Sequence, residues 1–468
     1  MLGSKNKEAV IIIGGGLAGC EAASMIARFG HPVLLYEMKP KKFSPAHQRE
    51  GLAEIVCSNS LGAEEEGSAP GLLKYEMKQL GSVILEAANQ SRVPAGKALA
   101  VDRDRFSEIT TEVIHRQPLI KVIREECEEL PKEGLAIVAT GPLTSESLAS
   151  DLAGKIGTDT LYFYDSISPI VTADSIDYSK TYFASRYEND SSDYLNCPMD
   201  RETYDQFVKA ILMAEKVPVR HFEALKCFEA CLPIEVLVER GHETLAFGPM
   251  KPVGLVSPRT GKKPHALVQL RRENIPTTLY NLVGFQTRMK WGEQKRIFRM
   301  IPGLENAEFV RFGSMHRNTY LNSPKVLHLD LSLKVDQRIL IAGQITGVEG
   351  YVESAAMGQW TGLVALARLR GVKHLPVPPK ETAIGALLRA VTTTPLHGVF
   401  SPMNINFGLF PPLEASGGKE VRRRLMVERA RKASDRWKGQ IFDAIGEMET
   451  PSGHLIQLSP NTHADLTS

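Results

Sequence analysis

The first strong pattern in this 468-residue chain is an unbroken apolar run, Ala9-Val10-Ile11-Ile12-Ile13. Short, β-branched and free of polar alternation, it predicts a strand buried on both faces of a parallel sheet. Glycines follow at once in Gly14-Gly15-Gly16-Leu17-Ala18-Gly19, after which residues 20–29 read as a helix that Gly30 stops. Residues 32–36 predict a second strand, ending at Glu37. Further on, 71–85 predicts a helix interrupted at Gly81. A second helix is expected over 102–116, where Phe106, Ile109, Val113 and Ile114 recur at helical spacing. Residues 119–123 and 135–139 predict strands, the latter closing on Thr140-Gly141-Pro142.

From about 172 to 284 the alternation of strand and helix is lost, and 247–263 is rich in Gly and Pro, a run of turns. The earlier pattern returns at Arg338-Ile339-Leu340-Ile341-Ala342-Gly343-Gln344. A helix over 353–369 follows, whose Ala355, Ala356, Gly358 and Gly362 allow close packing. Residues 372–380 read as a Pro-rich linker. The class expected is α/β: a Rossmann-like nucleotide-binding domain interrupted by an α+β insertion domain. The divisions expected are 8–171 and 320–445 for the nucleotide domain, 172–319 for the insertion and 446–468 for a loose tail.

Gly14, Gly16 and Gly19 fall on G-x-G-x-x-G, where a tight turn, close approach to a pyrophosphate and helix–strand packing each exclude a side chain. The helix N-terminus offers free amide N–H groups to an anion. Glu37, about twenty residues on, suits the hydroxyls of an unphosphorylated ribose, hence FAD or NAD. Strand ends at Thr140-Gly141 and Gly343-Gln344 narrow this to FAD, so the interrupted domain is expected to be a Rossmann-like FAD-binding domain of the glutathione-reductase type, with Gly14, Gly15, Gly16, Leu17, Ala18, Gly19, Glu37, Gly141, Gly343 and Gln344 as the expected cofactor contacts.

Composition adds bounds. The length suggests two or three domains, and 43% hydrophobic with 24% charged residues is ordinary for a soluble globular protein. No apolar run nears the roughly twenty residues that cross a membrane, and the start lacks the apolar core of a signal peptide, so the cytoplasm is expected. The six cysteines (20, 57, 127, 197, 227 and 231) form no C-x-x-C pair, which argues against disulfides and a metal site. A net charge of +2 hides the stretch 419–438, with nine Lys or Arg against three Asp or Glu. It reads as a solvated helix face or, with Trp437 in it, as a salt-sensitive contact for an RNA backbone, the reading preferred here.

Three landmarks occur in one order: G-G-G-L-A-G (14–19), I-V-C-S-N-S-L (55–61) and A-G-Q-I-T-G-V-E-G-Y-V-E-S (342–354). Together with A-L-A-V-D-R (98–103), F-E-A-C-L-P-I-E (228–235), K-W-G-E-Q-K-R (290–296) and R-M-I-P-G-L-E-N-A-E-F-V-R (299–311), the chain resembles the folate- and flavin-dependent tRNA (uracil-5-)-methyltransferases over roughly residues 8–445. The resemblance implies FAD as cofactor, methylenetetrahydrofolate as carbon donor, NAD(P)H as reductant and 5-methyluridine in the tRNA T-loop as product. The alternatives are the related flavoprotein that modifies tRNA wobble uridines, which shares the glycine loop and A-G-Q-I-x-G, and a flavin oxidoreductase acting on a small molecule.

Such chemistry needs a thiolate, because uracil C5 becomes nucleophilic only once C6 carries an added nucleophile, and a base to take the C5 proton afterwards. The resemblance places the family's motif cysteine at Cys231, just before Leu232-Pro233; by spacing alone that residue reads as a buried thiol. Cys57, beside Ser58, Asn59 and Ser60, is the second candidate, as base or as a thiol acting at the flavin; alone it reads as a loop cysteine. Cys20, Cys127, Cys197 and Cys227 are expected to pack. For the substrates, His316 suits stacking on a pterin, Arg317 or Arg288 a folate carboxylate, and Trp291 a base or phosphate. Each also reads as ordinary structure: His316 as a satisfied core histidine, Trp291 as core with a basic rim.

Overall fold

The computed structural model describes residues 9–157, 161–186, 192–217, 232–394, 400, 402–413 and 418–446, with the backbone alone at 161–167, 315–318 and 419. The apolar run forms β1 (Val10–Ile13), the glycines turn into α1 (Leu17–Arg28), and β2 (Val33–Tyr36) returns beside β1. A right-handed strand–helix–strand crossover of this kind requires the parallel pairing observed, Val10 to Val33 through Ile13 to Tyr36. A small antiparallel sheet with two helices follows, β3 (Ser60–Ala63), α2 (Ala69–Gln79), α3 (Val83–Gln90), β4 (Arg92–Val93) and β5 (Ala98–Val101), with β5 between β3 and β4. The helix expected over 71–85 is two helices, split at Gly81, whose φ of +74° suits glycine. Then come α4 (Arg103–Arg116), β6 (Ile120–Ile123), β7 (Ala136–Val138) and α5 (Glu146–Ile156). Asp102 caps α4, accepting from Asp104 N and Arg105 N at 3.0 Å each.

β8 (Leu161–Ile167) leads into a different sheet: β9 (Ile170–Thr172), β10 (Tyr182–Phe183), β11 (Tyr194–Met199), α6 (Arg201–Met213), α7 (Ile234–Arg240), α8 (Thr244–Phe247), β12 (Ala266–Arg272), β13 (Leu279–Leu282), α9 (Trp291–Phe298) and β14 (Phe309–Arg311). β15 (Ser314–Tyr320) pairs antiparallel with β8 and carries the chain back to α10 (Ser323–Val326), β16 (Ile339–Ile341), α11 (Tyr351–Leu369), α12 (Ala383–Thr392) and α13 (Lys419–Ile445). The first sheet is parallel, in the order β16-β7-β1-β2-β6, and draws strands from both sides of that excursion. The second runs β10-β11-β12-β13-β9-β14 and is antiparallel. Each has its own apolar core.

The small residues of α11 do what their spacing suggested. A Cβ on Gly358 would lie on the Ala18 backbone, and one on Gly362 would come within 2.9 Å of Met25 Cβ, so α1 and α11 meet at backbone distance. The basic stretch corrects an expectation. α13 continues to Ile445, and Trp437 is 1% exposed, its ring tilted against Trp360 and its indole N–H on the Pro376 carbonyl at 2.8 Å. Trp437 is therefore core and not an RNA contact; Ala430, Ala433, Trp437 and Ile441 form the buried stripe of an amphipathic helix.

Two buried carboxyl groups tie helices together. Glu76 accepts from Ala383 N and Ile384 N at the start of α12 (2.7 and 2.8 Å), and Glu21 accepts from Ile84 N at 3.1 Å and from Ser82. Burial pushes Glu76 up to about 8 and Glu21 up to about 7, against the pull of those donors. Both folded values exceed the ordinary 4.5, so folding favours the protonated forms. Their contribution is complete below that value and is lost as pH rises through 7 and 8. Thermal melts are expected to show a midpoint several degrees lower at mildly alkaline than at mildly acidic pH, with a smaller difference in Glu76→Gln.

Candidate active site

The turn between β1 and α1 is shaped by what its glycines exclude. Gly14 has φ +105°, and a Cβ there would sit 2.5 Å from the Ala139 carbonyl oxygen; one on Gly19 would overlap the Gly14 carbonyl. Gly16 differs: nothing lies within 4 Å of its would-be Cβ, so its bare backbone faces open space at an uncapped helix N-terminus. At the end of β2 the Glu37 carboxylate is buried, accepting from Gly15 N (3.1 Å) and Lys39 N (3.0 Å). Lys39 is pinned in turn to Glu54 (3.2 Å) and to the Gly51 carbonyl (2.8 Å), a buried ion pair that folds the 38–54 loop along the site. Across the turn, Gly141 (φ +67°) has open space above it, Gly343 (φ +79°) packs on Ala18 and Gln344 donates to Glu349 at 2.9 Å.

These pieces line one open cleft. Its walls bring together Gly14 to Ala18, Glu37, Gly141, Gly343 and Gln344; of the expected cofactor contacts only Gly19 stands behind the wall. The shape fits an adenine dinucleotide: an anion-receptive helix end in the middle, a carboxylate on one side and glycine-lined strand ends on the other. Cys127, expected to pack, stands half-exposed on the wall with its thiol on the Glu129 carbonyl (3.3 Å). Cys20 and Cys197 are buried, and burial raises both thiols far above the usual range.

Val56 and Tyr351 line the cleft, and Cys57 follows directly. Its loop is held by Tyr351 and Arg103, which sequence reasoning did not single out, and by Asn59, which it named only as a neighbour of Cys57. The Tyr351 hydroxyl accepts from Cys57 N at 2.7 Å. Arg103 donates to the carbonyls of Ile55 (2.9 Å) and Cys57 (3.4 Å) and, through Nε, to Glu273 at 2.7 Å. Asn59 donates to the carbonyls of Val101 (3.0 Å) and Arg272 (2.9 Å). Burial works against the Arg103 charge, but Glu273 outweighs it and holds the guanidinium above its usual value. Arg103, Asn59 and Asp102 (which accepts from Ile275 N at 3.0 Å) thus clasp the β12–β13 hairpin onto the Cys57 loop. The sequence signal was present: Asp102 and Arg103 close the A-L-A-V-D-R motif.

Cys231 and Cys227 lie outside the described residues. Just beyond them Glu235 is fully buried and accepts from Arg288 N (2.8 Å) and Thr287 Oγ1 (2.9 Å); burial raises its carboxyl. Arg288 is buried against Glu235, its Nε 3.6 Å from the carboxylate. His316 and Arg317 stand on β15, opposite Asp165 and Tyr164 of β8. Trp291 is 67% exposed and caps an aromatic ladder: it stacks on Phe312 (5.7 Å, 16°), which stacks on Phe309 (5.2 Å, 16°). Among the described residues no cluster of His, Cys, Asp and Glu could hold a metal.

The parallel sheet, the glycine turn and the cleft define a Rossmann-type, FAD-binding flavoprotein fold. A family model, "Glucose inhibited division protein A", matches residues 9–373. Among similar proteins, the "Methylenetetrahydrofolate--tRNA-(uracil-5-)-methyltransferase TrmFO" of Geobacter sulfurreducens is 57% identical over 430 residues, 92% of this chain and 98% of that one. Its namesake in Pelobacter propionicus is 54% identical over 448 residues, 96% and 98% of the two chains. The chain belongs to the glucose-inhibited division protein A family, in the branch of these TrmFO proteins. Among solved structures, Aquifex aeolicus GidA shares the fold, with a TM-score of 0.66 and 19% identity over 95% of this chain and 76% of that chain.

Proposed function

We infer that this chain is a methylenetetrahydrofolate-dependent tRNA (uracil-5-)-methyltransferase with FAD as its cofactor. The observation that carries the reading is the 57% identity, over nearly the full length of both chains, to a protein of that name. The cleft described above supports it. When bound, FAD supplies the electrons that reduce the transferred one-carbon unit to a methyl group, with NAD(P)H as their source. The product is 5-methyluridine in the T-loop, and the compartment is the cytoplasm; no helix among the described residues is long and apolar enough to cross a membrane.

The chain's own residues divide the work. The Gly14 to Gly19 turn and the α1 N-terminus receive the pyrophosphate, and Glu37 the adenosine ribose; Gly141, Gly343 and Gln344 complete the cofactor's wall. Cys231 adds to uracil C6, which makes C5 nucleophilic, and leaves once the C5 proton is removed. Cys57, positioned by Tyr351 and Arg103, acts at the reacting end of the cleft, and His316, Arg317 and Arg288 serve the folate. Trp291, exposed at the head of its ladder, offers a stacking face to an unpaired base. Incubation of purified protein with unmodified tRNA, methylenetetrahydrofolate and NADPH is expected to yield 5-methyluridine at one T-loop position. Methylation that proceeds equally without folate would overturn the reading.

The basic helix supplies a surface for the RNA. Arg422, Arg423 and Arg424 are all exposed in the first turns of α13. Replacing all three by glutamate is expected to weaken tRNA binding by at least about tenfold and to flatten its salt dependence. Filter binding at two salt concentrations measures both, while the flavin spectrum should not change.

A further inference from the structure

The antiparallel sheet has one apolar face, which carries its core, and one polar face turned toward the Cys57 loop. Register places Tyr194, Arg271, Asn281, Ile170 and Arg311 in one lateral row across β11, β12, β13, β9 and β14. Residues paired across strands project to the same face, so this row faces one way. Tyr194 shows which way: its hydroxyl donates to the Ala95 carbonyl at 2.9 Å, on the nucleotide-binding side. Glu273, two residues beyond Arg271, is the carboxylate that Arg103 grips beside Cys57.

The row is rich in donors and poor in acceptors. Arg271 is 7% exposed and Asn281 2%, yet Arg271 Nε and Asn281 Nδ2 have no hydrogen-bond partner among the described residues. The half-buried Arg311 guanidinium has neither a hydrogen bond nor an ion pair among the described residues. Arg103, Arg271 and Arg311 thus stand around the single carboxylate of Glu273. Buried donors left without acceptors are costly, and like charges add to that cost. Burial and the neighbouring Arg103 press the Arg311 pKa down, and the Glu273 carboxylate, shared among three guanidinium groups, offsets this only in part.

We propose that this polar face forms an oxyanion subsite beside Cys57, with Arg311 as its open guanidinium. Its ligand is a phosphodiester of the tRNA or a carboxylate of the folate; the proposal rests on the function inferred above only for the choice between those two. Guanidinium donors and an amide N–H on one face match the planar or tetrahedral oxygens of such groups. The site stands next to the thiol, so it holds its ligand while the one-carbon unit is handled there.

The test reads the site without requiring turnover. Iodoacetate and iodoacetamide alkylate a thiolate in the same way, forming the S–C bond and releasing iodide, but only iodoacetate carries a carboxylate. In the holoenzyme, peptide mapping of Cys57 should show iodoacetate favoured, with the preference falling about tenfold in Arg311→Gln and returning in Arg311→Lys. Inorganic sulfate should protect Cys57 of the unsubstituted enzyme more strongly against iodoacetate than against iodoacetamide. A preference unchanged in Arg311→Gln, or equal protection by sulfate, would overturn the proposal. In turnover, Arg311→Gln should raise the KM for tRNA if the oxyanion is a phosphodiester, or for the folate if it is a carboxylate. If neither rises, the subsite is refuted, whereas activity independent of folate would refute the inferred function and leave the alkylation result standing.

Discussion

Replacing Cys57 by alanine is expected to abolish methyl transfer, by at least about a thousandfold, while the protein stays folded and yellow. The two halves of that expectation have separate physical causes. Two of the contacts that hold residue 57 are to its backbone: Tyr351 accepts from its N–H and Arg103 donates to its carbonyl, and alanine keeps both. The residue is only part-buried, so losing the sulfur opens no core cavity, and the Gly14 to Ala18 cradle of the cleft does not depend on it. Cys231→Ala is expected to be as inactive, through loss of the addition at uracil C6. Single-turnover assays on both variants, with flavin content from absorbance, check this; a Cys57→Ala enzyme with full turnover would remove that residue from the chemistry.

The second large effect is expected at Gly16. With φ −78° its backbone suits any residue, and its missing Cβ points into open cleft, so Gly16→Val should fold normally. Its isopropyl group would occupy the space next to the α1 N-terminus where the pyrophosphate belongs. The purified variant should therefore be colourless, with an unchanged circular dichroism spectrum. Gly14→Val is the contrast: a left-handed φ of +105° and the nearby Ala139 carbonyl make it a lesion in the fold itself. Gly16→Val retaining stoichiometric flavin would mean that the cofactor does not approach that turn.

The nucleotide half of the molecule was legible because its signals are local. A β-branched run, three glycines at fixed offsets and a terminal acid each act within a few residues, and β1, α1 and β2 followed from them. The interruption at Gly81 and the glycines of α11 were readable for the same reason. What sequence did not show is contact between distant segments. Arg103 meets Glu273, and Asn59 meets the Arg272 carbonyl, across separations that no periodicity encodes. Trp437 was misjudged because the charges around it outweighed a stripe of Ala430, Ala433 and Ile441 that helical spacing does contain. Cys127 was missed because nothing in its own neighbourhood says that the cleft passes beside it.

The origin of the new methyl group tests the central claim most directly. Methylenetetrahydrofolate deuterated at its methylene carbon, supplied with NADPH and unmodified tRNA, should yield 5-methyluridine whose methyl group retains both deuterons and gains its third hydrogen from the reducing system. Mass spectrometry of the digested tRNA resolves this. A methyl group without deuterium, or one labelled only when S-adenosylmethionine carries the label, would contradict the account.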